Sequence, residues 1–287
     1  MKLKKILNIL IALIVISTAV FVTACTGSEE TKQSNQSLDS ESSLPLNISV
    51  YLDLSDRLTR ELSPSQMERD TAIINHLVDL FISDCVENGK IINSKNHFQI
   101  FFYPAPNSSQ IAQLAKGLNV DMSKFDSKQK KVELMGMKDR IQTNLTQIYT
   151  DVLEQQDWVG SDIWGFFSNK EVDKLCIRKD YRNILVILTD GYFYHAKNKI
   201  VEDKNHYSYI LPKTLLDPDA SLIVRRDGLQ NLEVLILEVN PYAPNQRDGL
   251  IGTIEAWLKE MGVQNFAVNE TNLPVSTEVY IDSFIKE

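Results

Sequence analysis

Cysteine, histidine and positive charge are all scarce in this chain. With three cysteines and four histidines in 287 residues, it lacks the material for a disulfide framework. His195 and His206 stand 11 residues apart with no acid or cysteine at ligand spacing, so no zinc site is expected. Lysine and arginine total 30 against 38 acids, a net charge of −8, which argues against nucleic acid as a partner. There is no glycine-rich phosphate loop, no nucleotide-binding glycine turn and no Ser–His–Asp order. No internal repeat is present. Long hydrophobic runs are missing too, apart from residues 6–22.

That one run explains the N-terminus. Lys2, Lys4 and Lys5 precede it, and "VTAC" at 22–25 follows, the order of a secretory signal. The run is too short and wrongly flanked for a membrane span. "VTAC" resembles the lipobox of bacterial lipoproteins, whose cysteine is acylated and becomes the mature N-terminus. The resemblance implies a signal peptide over 1–24, lipidation of Cys25, and a place in the bacterial cell envelope outside the cytoplasm. Loss of the signal would leave 27 basic residues against 38 acids, a net of −11, so acyl chains rather than surface charge would hold the chain to a membrane. Residues 25–46 are rich in Ser, Gln and acids and read as a flexible polar tether, with a reach of about 25 Å for a coil of that length. Residues 47–287 are long enough for one domain with a sizeable core. Cys85 and Cys176 lie in apolar contexts and are expected as buried free thiols, a bridge between them being the alternative.

Within that domain, Met67, Ile74, Leu77, Val78, Phe81, Ile82 and Cys85 recur at helical spacing. They predict a helix capped by Ser63, with Pro64 at its first position, Gln66 completing a capping box and Gly89 as its stop. Strands are predicted around Ile48–Leu52, in "HFQIFFYPAP" at 97–106, at 184–188, in "LEVLILEV" at 232–239 and in "NFAV" at 265–268. An edge strand is expected at 111–118. Helices are expected at 127–141, from Leu145 onward, at 247–261 with Gly262 as its stop, and at 275–286. Trp158, Trp164 and Trp257 are expected in the core. Unbroken aliphatic strands alternating with helices predict an α/β fold: a doubly wound, mainly parallel central sheet in a three-layer sandwich.

Ligands of such a sheet bind beyond the carboxyl ends of its strands, where strand order reverses. Two strands end in acids: "SVYLDLSDRL" reaches Asp53, and "LTDGY" reaches Asp190. A third short motif, "GSDIW" at 160–164, combines a glycine, a hydroxyl and an acid. Together they resemble the von Willebrand factor A family, in which D-x-S-x-S after the first strand, a hydroxyl in a glycine turn and a strand-end Asp assemble a metal site. The resemblance implies Mg²⁺ or Mn²⁺ held by Asp53, Ser55, Ser161 and Asp190, with residues 104–141 as an insertion. Thr143 in "QTNL" competes with Ser161 for the second motif. In that family the site serves recognition, so a protein partner is expected.

Arg57 departs from the pattern, standing where the last serine would be. A guanidinium has no lone pair to offer a cation. Either the metal is held by fewer ligands, or Arg57 itself neutralises the acids by pairing with Asp53 or Asp190. Ser55, Asp56 and Thr59 also suit ordinary turn and cap chemistry. Residues 191–211 either stand on the ligand face or pack on their own tyrosines. The expected function is thus an envelope-anchored binding protein. The rivals are a hydrolase working through Asp53 and Asp190 and a structural envelope component with no ligand. A haloacid-dehalogenase-like use of Asp53 as nucleophile would want an acid two residues on, and that position holds Ser55.

Overall fold

The computed structural model describes residues 44–155, 161–192, 200–203, 206–208 and 224–286. Strands β1 (Leu46–Leu52), β2 (His97–Phe101), β3 (Asn119–Asp121) and β4 (Arg182–Leu188) come first. A small antiparallel pair, β5 (Ile200–Asp203) and β6 (His206–Ser208), is followed by β7 (Leu232–Val239) and β8 (Phe266–Glu270). The helices are α1 (Gln66–Val86), α2 (Ser109–Lys116), α3 (Ser127–Gln155), α4 (Ile163–Ser168), α5 (Glu171–Cys176), α6 (Arg247–Glu260) and α7 (Pro274–Lys286). Six strands form the main sheet in the order β3-β2-β1-β4-β7-β8. Every pairing in it is parallel except that of β2 with β3. From β1 the chain moves outward to β2, and from β4 it moves the other way to β7. Strand order therefore reverses between β1 and β4, and the expected doubly wound sandwich is present.

Alternation along the strands divides the core into two layers. Ile48, Val50 and Leu52 of β1 and Ile184, Val186 and Leu188 of β4 pack with α1, α3 and α7. Tyr51, Leu185 and Ile187 pack on the opposite face with Phe166, Phe167, Val172 and Trp257 from α4, α5 and α6. Near the amino ends of the strands this second face turns polar. Asn47 and Gln99 donate to the Cys176 and Leu175 carbonyls at 2.9 and 2.6 Å. A helix as short as α5 leaves its last carbonyls without intrahelical partners, and these amides supply them. His97, bonded to Asn47 at 2.7 Å, has its pKa lowered to about 4 chiefly by burial and belongs to the same layer.

Several expectations need correction. The cap of α1 is Ser65, not Ser63: its hydroxyl accepts from the Glu68 N–H while the Glu68 carboxylate accepts from the Ser65 N–H. Gln66 is free of capping because its side chain turns inward. The helix stops at Val86, ahead of Gly89, where a 3-10 turn takes over. Residues 111–118 are not a strand; Ser108 caps α2, and Ile111, Leu114 and Ala115 sit one turn apart on its inner side. The edge strand is the three residues of β3. The two helices expected at 127–141 and from Leu145 are one 29-residue helix. Residues 104–141 are therefore no insertion, since they supply the sheet edge and much of the helix covering β1 and β2. The first strand begins at Leu46, two residues before the expected Ile48.

Cys85 and Cys176 are buried free thiols. Trp257 is buried and Trp164 packs against the same cluster, while Trp158 lies outside the described residues. Among the described residues, no helix is long and apolar enough to cross a membrane.

Candidate functional site

Asp53 and Asp190 sit at the point where strand order reverses. The Asp53 N–H donates to the Leu188 carbonyl at 3.1 Å, so the chain leaves β1 still paired to β4. One Asp53 carboxylate oxygen accepts from the Ser55 N–H at 2.9 Å. The other accepts from the Thr189 hydroxyl at 2.8 Å. Ser55 then caps the 3-10 turn Asp56–Thr59, as plain turn chemistry anticipated.

Across the reversal, Asp190 is 5% exposed and accepts from the Tyr192 N–H at 3.2 Å. Its own carbonyl accepts from Asn240 N–H at 3.0 Å, which ties the end of β4 to the end of β7. Gly191 makes this turn possible. It has φ +94°, and a Cβ there would lie 3.0 Å from Leu250 and 3.1 Å from Val239.

Two buried carboxylates side by side resist ionisation. Burial, and then the charge of Asp53, push the Asp190 pKa up to about 7. Asp53 is also raised by burial, but Arg57, Thr189 and Ser55 work in the opposite direction. The two acids therefore titrate as a coupled pair that holds a proton more readily than an ordinary carboxylate.

Arg57 is 1% exposed, and its main partner is neither of the acids expected from sequence. It forks onto Asp70 of α1, with nitrogen–oxygen distances of 2.6 and 3.3 Å. Its Nε donates to the Asp53 backbone carbonyl at 2.9 Å and lies 4.0 Å from the Asp53 carboxylate. Burial works to lower the guanidinium's pKa, but Asp70 and then Asp53 outweigh it and raise it. Asp70 is fully buried and also accepts from the Tyr149 hydroxyl at 2.7 Å and from Gln66 at 2.9 Å. Gln66 reaches on to Glu238 at 3.2 Å, and Thr271 donates to the same Glu238 oxygen at 2.6 Å. A polar chain thus runs from β1 through α1 to β7.

Ser161 is buried and does not join the acids through any hydrogen bond among the described residues. Its hydroxyl lies 2.9 Å from the Tyr51 hydroxyl, which itself donates to the Tyr103 carbonyl. Its companion Asp162 caps α4 by accepting from Gly165 N–H. The glycine expected in that motif, Gly160, lies outside the described residues. Thr143 is exposed on α3, where it takes no part.

The donor set fits a divalent ion poorly. Ser161 is committed to Tyr51, and a guanidinium, which has no lone pair to offer, stands beside Asp53 at the position of the pattern's last hydroxyl. Among the described residues, no group of three or more His, Cys, Asp or Glu could hold a metal.

The residues that sequence reasoning missed are Asp70, Tyr149, Thr189 and Glu238. The signal was present for three of them. Gln66 and Asp70 continue the apolar stripe of α1, Tyr149 lies in that of α3, and Glu238 interrupts "LEVLILEV". A polar residue in a stripe that must be buried has to find a partner there.

Around these acids lies a rim of two half-buried side chains, Arg60 and Tyr192, and one exposed ring, Tyr242. The Arg60 guanidinium stacks 3.8 Å above the Tyr242 ring and donates to the Asn240 carbonyl. The Tyr192 and Tyr242 rings pair at 5.4 Å, and Tyr242 is 58% exposed. Of residues 191–211, Gly191, Tyr192 and the β5–β6 pair are described, and Tyr192 is the one that joins this rim among the described residues.

No family model and no curated protein matches the chain. Among solved structures it is similar to BatB from Bacteroides thetaiotaomicron, with TM-score 0.39 and 12% identity, covering 84% of this chain and 100% of that one. An aerotolerance-related membrane protein from Bacteroides fragilis, carrying multiple mutations to serines, gives TM-score 0.36 and 12% identity over 84% and 98%. The pilus adhesin SpaC from Lactobacillus rhamnosus GG gives 0.40 and 9% over 86% of this chain and 30% of that one. Likeness at this level carries no argument about function, and the architecture rests on the strand order and register above.

Proposed function

We propose that this chain is an envelope-anchored binding protein that recognises a protein partner through the strand-end face around Asp53 and Asp190. The observation that supports it is the placement of Asp190. This carboxylate sits at the reversal point, almost buried and with its pKa raised, beneath a rim of Arg60, Tyr192 and Tyr242. Aromatic and arginine side chains are the groups that anchor protein interfaces. The rival hydrolase reading gains little, because Ser55 occupies the position of the proton-transfer partner. Anchoring would come from an acylated Cys25 and a tether over 25–46.

The test is affinity capture from native envelopes by the full chain, with and without chelator. A protein retained by wild type, lost with Asp190→Ala and indifferent to chelation is expected. Capture that needs Mg²⁺ or Mn²⁺ would restore the metal-dependent reading. Hydrolysis of a generic phosphate or ester, abolished by Asp53→Asn, would replace binding with catalysis. Labelled fatty acid entering wild type but not Cys25→Ser checks the anchor.

A further inference from the structure

Glu238 is the acid that strand alternation does not explain. Leu235 and Leu237 of β7 face the layer of α1, and Val234 and Ile236 face the opposite layer. Regular alternation would send Glu238 to the side of Val234 and Ile236. Instead the pairing with β8 shifts between Ile236 and Val239, and Glu238 takes φ +67°. Val239 then faces the second layer, and the Glu238 carboxylate turns toward α1. A bulge held by a non-glycine residue in the left-handed region is a strained conformation that its surroundings must enforce.

What enforces it is sparse. Glu238 is 1% exposed. One of its oxygens accepts from Gln66 and Thr271, while Oε1 is buried with no hydrogen-bond partner among the described residues. The charged groups facing it from α1 are Asp70, which repels a carboxylate, and Arg69. Arg69 directs its donors to the carbonyls of Ser63, Pro64 and Asn272, and Asp70 is matched by Arg57. A buried carboxyl with two neutral donors on one oxygen and none on the other suits the uncharged acid. Burial raises the Glu238 pKa and the charge of Asp70 adds to the rise, while the bonds from Thr271 and Gln66 and the charge of Arg69 work against it without cancelling it.

The same bulge carries the backbone of the strand-end face. Thr271 N–H donates to the Val239 carbonyl at 2.9 Å, and Asn240 N–H donates to the Asp190 carbonyl at 3.0 Å. The Asn240 carbonyl in turn holds Arg60.

We propose that Glu238 is a proton-operated latch: uncharged, it rests in the closed β7 bulge, and loss of its proton leaves a buried charge with one unpartnered oxygen beside Asp70, which loosens the backbone that seats Asp190 and Arg60. Only its consequence for partner binding rests on the function proposed above; the latch itself is measured without a partner.

The experiment is a carbon-13 titration of the Glu238 carboxyl in the wild-type chain, with amide hydrogen exchange at Asn240 and Thr271 over the same pH range. The carboxyl is expected to titrate above the ordinary glutamate value near 4.3. Protection at both amides should fall about tenfold through that same midpoint. In Glu238→Gln the protection should stay flat, and in Asp190→Asn it should still fall. An ordinary Glu238 midpoint, protection that does not change, or a fall that persists in Glu238→Gln or vanishes in Asp190→Asn would overturn the latch. If Glu238→Gln does not fold, the coincidence of the two wild-type midpoints decides alone.

Discussion

Asp70 and Asp190 are both buried acids at the carboxyl end of the same sheet, and their surroundings are opposite. Asp70 receives a forked guanidinium, a phenol and an amide. Asp190 receives one backbone N–H among the described residues and lies beside another acid. The first arrangement closes on itself, so its charge is used up in holding α1 and α3 to β1. The second leaves a carboxylate that Arg57 and Arg60 compensate only in part. That difference is why the proposed function rests on Asp190 rather than Asp70.

The largest effect is expected from breaking the closed arrangement. Arg57→Ala leaves Asp70 buried without its counter-charge and should destabilise the fold by about 3–5 kcal/mol in urea unfolding. Replacing the pair together, as Arg57→Met with Asp70→Leu, should recover most of that loss. Equal destabilisation by the single and double variants would show that the pair is not the closed unit described here.

Asp190 should respond to pH instead. Its folded pKa of about 7 lies above the unfolded value near 3.9, so the folded state binds the extra proton. The contribution is fully present below the unfolded value and is lost as pH rises through the folded one. Between pH 4 and 7, wild type should therefore lose on the order of 2–4 kcal/mol relative to Asp190→Asn. Parallel stability profiles for the two proteins would place Asp190 in a compensated site like that of Asp70. The smallest effect on stability is expected at the rim. Tyr242→Ala should change the unfolding free energy by less than about 0.5 kcal/mol while reducing partner capture, and unchanged capture would remove the rim from the binding face.

Much of the site was legible because strand-end acids have few alternatives. Asp53 follows an alternating strand and Asp190 an aliphatic one, so parallel pairing brings them together once the strands are neighbours. Asp70 could not be assigned as the partner of Arg57 in the same way. The two are 13 residues apart, and only the packing of α1 against β1 turns its polar positions toward the guanidinium. The bond that Ser161 makes was hidden for a related reason. A hydroxyl after a glycine is a short motif, and the Tyr51 hydroxyl, reaching through the second layer, offered it a different bond.

The aliphatic runs, the helical spacings and the acids at two strand ends were determined by sequence alone, because burial periodicity is a property of consecutive residues. Which cation faces which acid was decided only by tertiary structure, as was the flip of Glu238 away from its alternation. Charge pairing depends on distances across elements, and those distances exist only after the sheet and its helices have packed.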